Sequence, residues 1–213
     1  MKLAGEIVII VASLGFEEKF LLRTIMRRGL REDDKIVVFM PEGGDARGET
    51  AFQNVKEIIQ KITDGKVEIS KHQVDIRNFY AAASSIRRLL KQLSFEGKLV
   101  INLSGGQRLL IFEILAAALS LGLRDAEIEI ETEDSSIVVT TPIRVLYPIE
   151  LDHLDQQILR MVAERGTIRL KDLEGLGVPK ATLWRKLNKL TQQGLLEKSN
   201  DKYLISDMGR TRI

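Results

Sequence analysis

The fold is decided by the stretch KLVINLSGGQRLLIFEILAAALSL, residues 98–121. Its first part, Lys98 to Leu103, is an apolar run of the kind that forms a buried strand. A small-residue segment follows, and Leu109 to Leu121 is then apolar almost all round, which predicts a buried helix. Glu113 interrupts this apolar stretch, which is also shorter than the roughly 20 residues that a membrane span needs. A strand, a glycine turn and a buried helix form one unit of a parallel α/β sheet.

The preceding residues repeat this strand–helix unit three times, because strand-like apolar runs alternate with segments of helical apolar spacing. The predicted strands cover Glu6–Ala12, Lys35–Met40 and Val67–Val74, and the predicted helices cover Glu17–Arg28, Thr50–Ile62 and Phe79–Leu93. After the fourth helix, Ala126–Glu131 and Ile137–Thr141 predict a closing β-hairpin. We therefore expect an α/β fold over residues 1–148, a Rossmann-like parallel sheet with helices on both faces.

Residues 149–213 have a different pattern and predict a second domain. Two helices, a turn at Gly177, a third helix and a two-stranded wing around Asn200-Asp201 are typical of a winged helix-turn-helix. The helices are predicted over Asp152–Glu164, Ile168–Leu176 and Lys180–Gln193, and the wing strands over Leu195–Lys198 and Lys202–Ile205. Pro179 is expected at the first position of the third helix.

Charge supports a nucleic-acid partner for this second domain. From Glu150 onward the chain has 12 Lys and Arg against 9 Asp and Glu, whereas the remainder has 20 against 21. Arg and Asn are shaped to read guanine and adenine edges, and Lys and Thr suit phosphates. The expected contacts to double-stranded DNA are Lys180, Thr182, Arg185, Asn188 and Lys189 on the third helix, with Lys198 and Lys202 on the wing. Trp184, beside Leu183 and Leu187, is expected to be a part-buried core residue.

Composition excludes several classes of site. The chain has no Cys and only two His, His72 and His153, which excludes disulfides and Cys/His zinc clusters. Neither His lies in a small-residue loop, so a Ser–His–Asp hydrolase has no support. We assign no catalytic residue, metal or cofactor. Since neither a secretory signal nor a long apolar span is expected, we predict a cytoplasmic protein with no membrane partner.

A ligand site is predicted where the order of strands in the sheet reverses. In the common 3-2-1-4 order, that point lies between the first and fourth strands, and a small-residue loop follows each of them. The candidate ligand residues are Ser13, Leu14, Gly15, Phe16, Asn102, Ser104, Gly105, Gly106, Gln107 and Arg108. Glycines allow close backbone approach, and a helix N-terminus with Arg108 favours an anion. Phe16 is expected to pack on a base or, preferably, into the core beneath the loop, and Gly43-Gly44 reads mainly as a surface loop.

No common nucleotide motif is present, since neither G-x-G-x-x-G nor a P-loop occurs. The loop Ser13-Leu14-Gly15-Phe16 together with Asn102-x-Ser104-x-Gly106-x-Arg108 resembles the CRISPR-associated Rossmann fold, or CARF. That family usually has Asp-x-Thr-x-Gly-x-Lys/Arg in the second motif, so Asn102 and Ser104 are conservative departures. With its C-terminal winged helix, the chain resembles archaeal CARF–winged-helix transcriptional regulators associated with CRISPR loci. The resemblance implies a homodimer that senses a cyclic oligoadenylate, with cyclic tetra-adenylate as the expected effector, at its two-fold axis.

Three alternatives to a sensing regulator stay open. Some CARF domains cleave the ring that they bind, and Ser104 and Arg108 could supply part of that chemistry, although no general base is identifiable. The winged helix could instead dock a protein and serve as an interaction scaffold. Finally, the two loops could be structural turns of a Rossmann-like fold without a ligand.

Overall fold

The computed structural model of the chain describes residues 7–213, so Glu6 of the first predicted strand lies outside the described residues. The chain divides into two compact units between Tyr147 and Pro148. No helix within residues 7–213 is long and apolar enough to cross a membrane.

The first unit is an α/β sheet in which strands and helices alternate. The strands are β1 (Val8–Ser13), β2 (Lys35–Pro41), β3 (Glu68–Val74), β4 (Lys98–Asn102), β5 (Glu127–Glu131) and β6 (Val138–Pro142). The helices are α1 (Lys19–Arg28), α2 (Ala46–Ile62), α3 (Phe79–Glu96) and α4 (Arg108–Leu121), and a 3₁₀ turn covers Ile143–Leu146. The strand order is β3-β2-β1-β4-β5-β6, in which only β6 is antiparallel to its neighbour. The Rossmann-like sheet, the expected order of its first four strands and the closing hairpin are confirmed.

Alternate residues of the central strand β1 enter two separate cores. Ile9 and Val11 pack with α3 and α4, whereas Val8 and Ile10 pack with α1 and α2. Because every residue of β1 is buried, the strand reads as a continuous apolar run without polar alternation. The sheet is therefore covered on both faces, and its loops at the carboxyl ends of the strands remain open to solvent.

Two predictions about the helices of this unit need correction. Helix α2 begins at Ala46, four residues before the expected Thr50, because the Asp45 side chain accepts a hydrogen bond from the Arg47 backbone N–H and caps the helix. Helix α4 is not buried all round. Leu109 is 44% exposed and Phe112 is 58% exposed, so one side of this apolar helix faces solvent.

The second unit is a winged helix-turn-helix, as expected. It contains α5 (His153–Arg165), β7 (Thr167–Arg169), a 3₁₀ segment (Leu170–Leu176), α6 (Lys180–Gln192), β8 (Leu196–Ser199), β9 (Lys202–Ile205) and α7 (Asp207–Arg210). The predicted helix over Ile168–Leu176 is wrong in its first residues, because Thr167–Arg169 pairs with β9 and adds a third strand to the wing sheet. Pro179 is the N-cap of α6 rather than its first residue.

Candidate ligand site and nucleic-acid interface

The loops after β1 and β4 meet because these strands are adjacent and parallel. Their glycines make this contact possible. A Cβ at Gly15 would lie 3.1 Å from the Cα of Gly106, and a Cβ at Gly106 would lie 2.8 Å from the Cβ of Ser13. Gly106 also has a φ of +93°, which L side chains rarely adopt. The two loops are therefore held backbone to backbone, and Gly106 has no room for a side chain.

A pocket of about 280 Å³ opens beside this junction, at the predicted switch point of the sheet. Seven of the predicted ligand residues line it: Leu14, Gly15, Phe16, Ser104, Gly105, Gly106 and Gln107. A larger and more open cleft of about 1060 Å³ lies at the opposite end of the sheet, beside Lys98 and Glu127. No predicted ligand residue lines that cleft, and Lys98 and Glu127 already pair with each other across 2.5 Å. The smaller pocket is the candidate ligand site.

Three predicted ligand residues do not line the pocket. The Ser13 hydroxyl donates to the Gly105 carbonyl, and the Asn102 side chain is 1% exposed. Asn102 Nδ2 donates to Thr24 Oγ1 at 2.6 Å, while Asn102 Oδ1 accepts from the Ser104 backbone N–H at 3.0 Å. Both polar side chains therefore shape the loop and do not face a ligand. Arg108 is the exposed first residue of α4, outside the pocket wall.

The loop after β4 is supported from behind by a ladder of charges between α1 and β5, which we call the α1–β5 ladder. Its members are Arg23, Arg27 and Arg28 on α1 and Glu127, Glu129 and Glu131 on β5. Arg27 contacts Glu129 at 2.8 Å and Glu131 at 2.6 Å, and both carboxylates are buried. The Glu131 backbone N–H donates to the Ser104 hydroxyl at 2.9 Å, which joins the ladder to the ligand loop.

The ladder lowers the pKa of two of its carboxylates, Glu127 and Glu129. Burial raises the pKa of Glu129, but hydrogen bonds from Thr24, Arg27 and Arg28 outweigh it, so this pKa lies below its usual value. The pKa of Glu127 is lowered in the same way, because bonds from Lys98 and Arg28 exceed the effect of burial. Sequence analysis missed this network. Its signal is the alternation EIEIE over residues 127–131, which places three carboxylates on one face of a strand.

The loop between β2 and α2 and the first turn of α2 form another wall of the pocket, through Gly44, Asp45 and Gly48. The reading of Gly43-Gly44 as only a surface loop is therefore incomplete. Phe16 is 49% exposed and does not enter the core, so the prediction that it packs into the core beneath the loop was wrong. The guanidinium of Arg47 lies 4.1 Å from the centre of the Phe16 ring, a cation–π contact at the pocket mouth.

The pocket and the start of α4 differ in electrostatics. Glu17, Asp45 and Glu133 line the pocket and none of its described lining residues is Lys or Arg, but Glu17 pairs with Lys19 at 2.6 Å and Asp45 pairs with Arg47 at 2.9 Å. At the start of α4, no side chain within the described part of the chain caps the helix, and its first turn has no acidic residue. The first backbone N–H groups and Arg108 make this helix end positive. Glu133 is the acidic lining residue that forms no ion pair within residues 7–213, whereas the helix end favours an anion.

In the second unit, the predicted DNA contacts of α6 differ in exposure. Lys180 and Arg185 are exposed, Thr182 and Asn188 are half-buried, and Arg185 donates to the Thr182 hydroxyl at 3.3 Å. The Lys189 side chain is 42% exposed, and its ammonium contacts the buried carboxylate of Asp155 at 2.8 Å.

Lys186 belongs to the same pairing, since it contacts Asp155 at 3.0 Å and also bonds Asp152. That bond lowers the pKa of Asp152 to about 2. Trp184 is 52% exposed, so its prediction as a part-buried core residue was wrong. The wing lysines, Lys198 and Lys202, are both exposed, and the Lys198 ammonium lies 5.8 Å from the Tyr203 ring centre.

Comparison with known families matches this geometry. The Csa3 CRISPR-associated Rossmann-like domain matches residues 8–142, and the DeoR-like helix-turn-helix domain matches residues 155–202. The chain belongs to the Csa3 CRISPR-associated Rossmann-like family. The expected CARF domain followed by a winged helix is confirmed, while an archaeal origin stays a prediction.

Several solved structures are similar to this chain at low sequence identity. Protein VC1899 from Vibrio cholerae has a TM-score of 0.50 and 15% identity, over 96% of this chain and 63% of that protein. Csm6 from Enterococcus italicus, bound to cyclic hexa-2′-fluoro-hexa-dAMP, has a TM-score of 0.50 and 13% identity, over 89% and 51%. Can2 from Sulfobacillus thermosulfidooxidans, in complex with cyclic tetra-adenylate, has a TM-score of 0.46 and 10% identity, over 95% and 55%. The Csa3-family chain thus spans less than two thirds of each of these proteins. No curated protein matches its sequence.

Proposed function

We propose that this chain is a CRISPR-associated transcriptional regulator, in which a homodimer of the Rossmann-like domain senses a cyclic oligoadenylate and the winged helix binds double-stranded DNA. The observation that supports this most strongly is the pairing of a glycine-built pocket with the uncapped, positive N-terminus of α4 at the switch point of the sheet. A nucleotide ligand needs both environments, because it has donor-rich bases and anionic phosphates.

The two environments assign the parts of the ligand. An adenine base enters the pocket, where its exocyclic amino group donates to the carboxylate of Glu133, since Glu17 and Asp45 already pair with Lys19 and Arg47. The phosphates stay outside the pocket, since no described Lys or Arg lines it. The backbone N–H groups at the start of α4 and the side chain of Arg108 bind the phosphates. Phe16 and Arg47 offer a ring and a planar cation for stacking at the mouth. The choice of adenine itself rests on the family resemblance.

A second copy of the chain completes the site. Apolar side chains beside the ligand loop are left open to solvent: Leu109 and Phe112 on α4, and Tyr80, 83% exposed, on α3. Phe112 stacks on Phe79 with ring centres 5.3 Å apart, which makes the patch continuous. An exposed apolar patch of this kind marks an interaction surface. A two-fold dimer through this patch would present the Ser104–Arg108 loop twice, which suits a ring with its own two-fold symmetry, such as cyclic tetra-adenylate.

Light scattering tests the dimer. The wild-type chain should give a particle of twice 24.0 kDa at micromolar concentration. Phe112→Asp should give a monomer, because a charge placed in an apolar interface is costly to desolvate. Val139→Asp serves as a matched control, since Val139 is 52% exposed on β6, away from the patch. A wild-type monomer would refute the dimer, and a dimer broken only by Val139→Asp would show that the patch is wrong.

DNA binding and sensing can be tested together. A fluorescent duplex from the promoter region of the gene should bind the protein with a salt-dependent affinity, and cyclic tetra-adenylate should change that affinity. Arg108→Ala should weaken the ligand's effect by about tenfold in concentration, since it removes a charged hydrogen bond to a phosphate. Ligand-independent DNA binding would refute the sensing role. The appearance of linear product would favour the ring-cleaving alternative.

A further inference from the structure

Helix α6 carries the chain's single tryptophan on its outward side. Trp184 is 52% exposed, and its indole N–H donates no hydrogen bond to any residue in the described range 7–213. An exposed indole leaves a large apolar surface in water together with an unused donor. Both would be satisfied by a partner that offers an apolar group next to polar acceptors.

The surroundings of Trp184 indicate what that partner is. Residues four apart on a helix lie on one ridge, so Trp184 stands between Lys180 and Asn188, and Arg185 lies on the adjacent ridge. Lys186 and Lys189 each form an ion pair with Asp155. The ring is therefore flanked by two exposed cations, Lys180 and Arg185, that are not paired with a carboxylate in any contact among the described residues. A polyanion is the complementary surface.

We propose that Trp184 is a specificity-determining DNA contact, whose ring lies against the C5-methyl group of a thymine in the major groove. This inference rests on the proposed DNA-binding function and assigns a base preference within it. The thymine methyl is the apolar feature of the major-groove edge, and apolar side chains recognise it there. Lys180 and Arg185 would hold the flanking phosphates and a neighbouring base, so that the indole is pressed onto the groove floor.

Because Trp184 is the sole tryptophan, its emission reports this contact directly. The promoter duplex would be titrated into the full-length protein while duplex anisotropy and tryptophan emission are recorded together. The emission should be quenched or shifted in step with the anisotropy. Trp184→Ala should lower the affinity about tenfold, comparable with the effect of one mismatched base pair. Trp184→Phe should keep most of it, since an aromatic face remains. Phe95→Ala, which removes an 81% exposed ring from α3, is the matched control and should have no effect.

Deoxyuridine in place of thymidine tests the proposed base. At one position of each half-site, this change should weaken wild-type binding about fourfold, the effect of one buried methyl group. The Trp184→Ala protein should bind the deoxyuridine duplex and the thymidine duplex with the same affinity. The inference is overturned if the anisotropy reports binding while the emission stays constant and Trp184→Ala binds like the wild type. If the wild type binds no duplex at all, the proposed function fails, and this inference fails with it.

Discussion

Both units of the molecule neutralise buried carboxylates with basic side chains. In the first unit these ion pairs lie behind the candidate ligand site, whereas in the second unit they include residues of the proposed DNA-binding helix. In the first unit, the α1–β5 ladder lies behind the ligand loop and contacts it through Ser104, while Thr24 links Glu129 to Asn102 at the end of β4. In the second unit, Asp155 binds Lys186 and Lys189 of the proposed recognition helix itself. The α1–β5 ladder positions the ligand loop without lining the pocket. The pairing of Asp155 with two lysines of α6 determines which basic residues of that helix have no carboxylate partner. Which cations can meet a ligand therefore depends on which carboxylates the fold buries beside them.

The largest effect is expected from breaking the α1–β5 ladder at Glu129. Glu129→Ala leaves Thr24, Arg27 and Arg28 without their shared acceptor and should lower the free energy of unfolding by about 3–5 kcal/mol, the usual consequence of removing one partner of a buried ion pair. Urea unfolding followed by circular dichroism measures it. The matched control is Glu96→Ala, which removes an exposed pair with Lys35 and should leave the free energy of unfolding nearly unchanged. Equal losses for the two variants would refute the structural role of the ladder.

The next largest effect separates the two kinds of basic residue on α6. Arg185→Ala should weaken binding to the promoter duplex by about 1–3 kcal/mol and relax its sequence preference. Lys189→Ala should leave DNA affinity unchanged and lower the stability of the second unit instead, because Lys189 is held by Asp155. Anisotropy titrations and urea unfolding of the same two variants distinguish these outcomes. A loss of DNA affinity for Lys189→Ala would show that Lys189 contacts DNA, as expected from the sequence.

A smaller effect is expected on the wing. Lys198 is exposed on β8, so Lys198→Ala should weaken binding to all duplexes alike and reduce the slope of log affinity against log salt by about one. Titrations of promoter and scrambled duplexes at several salt concentrations measure this slope. A loss confined to the promoter duplex would show that Lys198 reads bases rather than a phosphate.

The pH dependence of stability should be the smallest effect and should again reflect the ladder. Glu127 and Glu129 have pKa values below their usual 4.5, so their stabilising contribution is complete above about pH 4.5 and is lost as the pH falls through the lowered values. Glu113 acts in the opposite direction, because burial and the nearby Asp75 raise its pKa. Urea midpoints of the wild type and Glu113→Gln should therefore both fall between pH 5 and pH 3, with the steeper fall in Glu113→Gln. A stability that rises on acidification in both proteins would contradict this account of the ladder.

The sheet could be predicted from the sequence because its evidence is local. Apolar runs and helical spacing set the elements, and the small-residue loops after β1 and β4 locate the switch point. The roles of individual polar residues could not be predicted, since they depend on contacts across the fold. The sequence predicts that Asn102 binds the ligand, but its side-chain amide donates a hydrogen bond to Thr24 of α1, 78 positions away. Lys189 has the correct helical spacing for DNA, yet Asp155, 34 positions away, binds its ammonium. Trp184 was misassigned because the core of the second unit takes Leu183, Leu187 and Leu190 from α6 and leaves the tryptophan 52% exposed.

The central claim is that two copies of this chain hold one cyclic oligoadenylate at the junction of the β1 and β4 loops. Isothermal calorimetry of the full-length protein with cyclic tetra-adenylate tests it most directly, with Gly106→Val as the variant whose added side chain meets Ser13. We expect saturable heat at one ring per two chains for the wild type, and greatly weakened binding for Gly106→Val, checked to be folded by circular dichroism. Heat from neither cyclic tetra-adenylate nor cyclic hexa-adenylate would contradict the ligand class, and unchanged binding by a folded Gly106→Val would contradict the site.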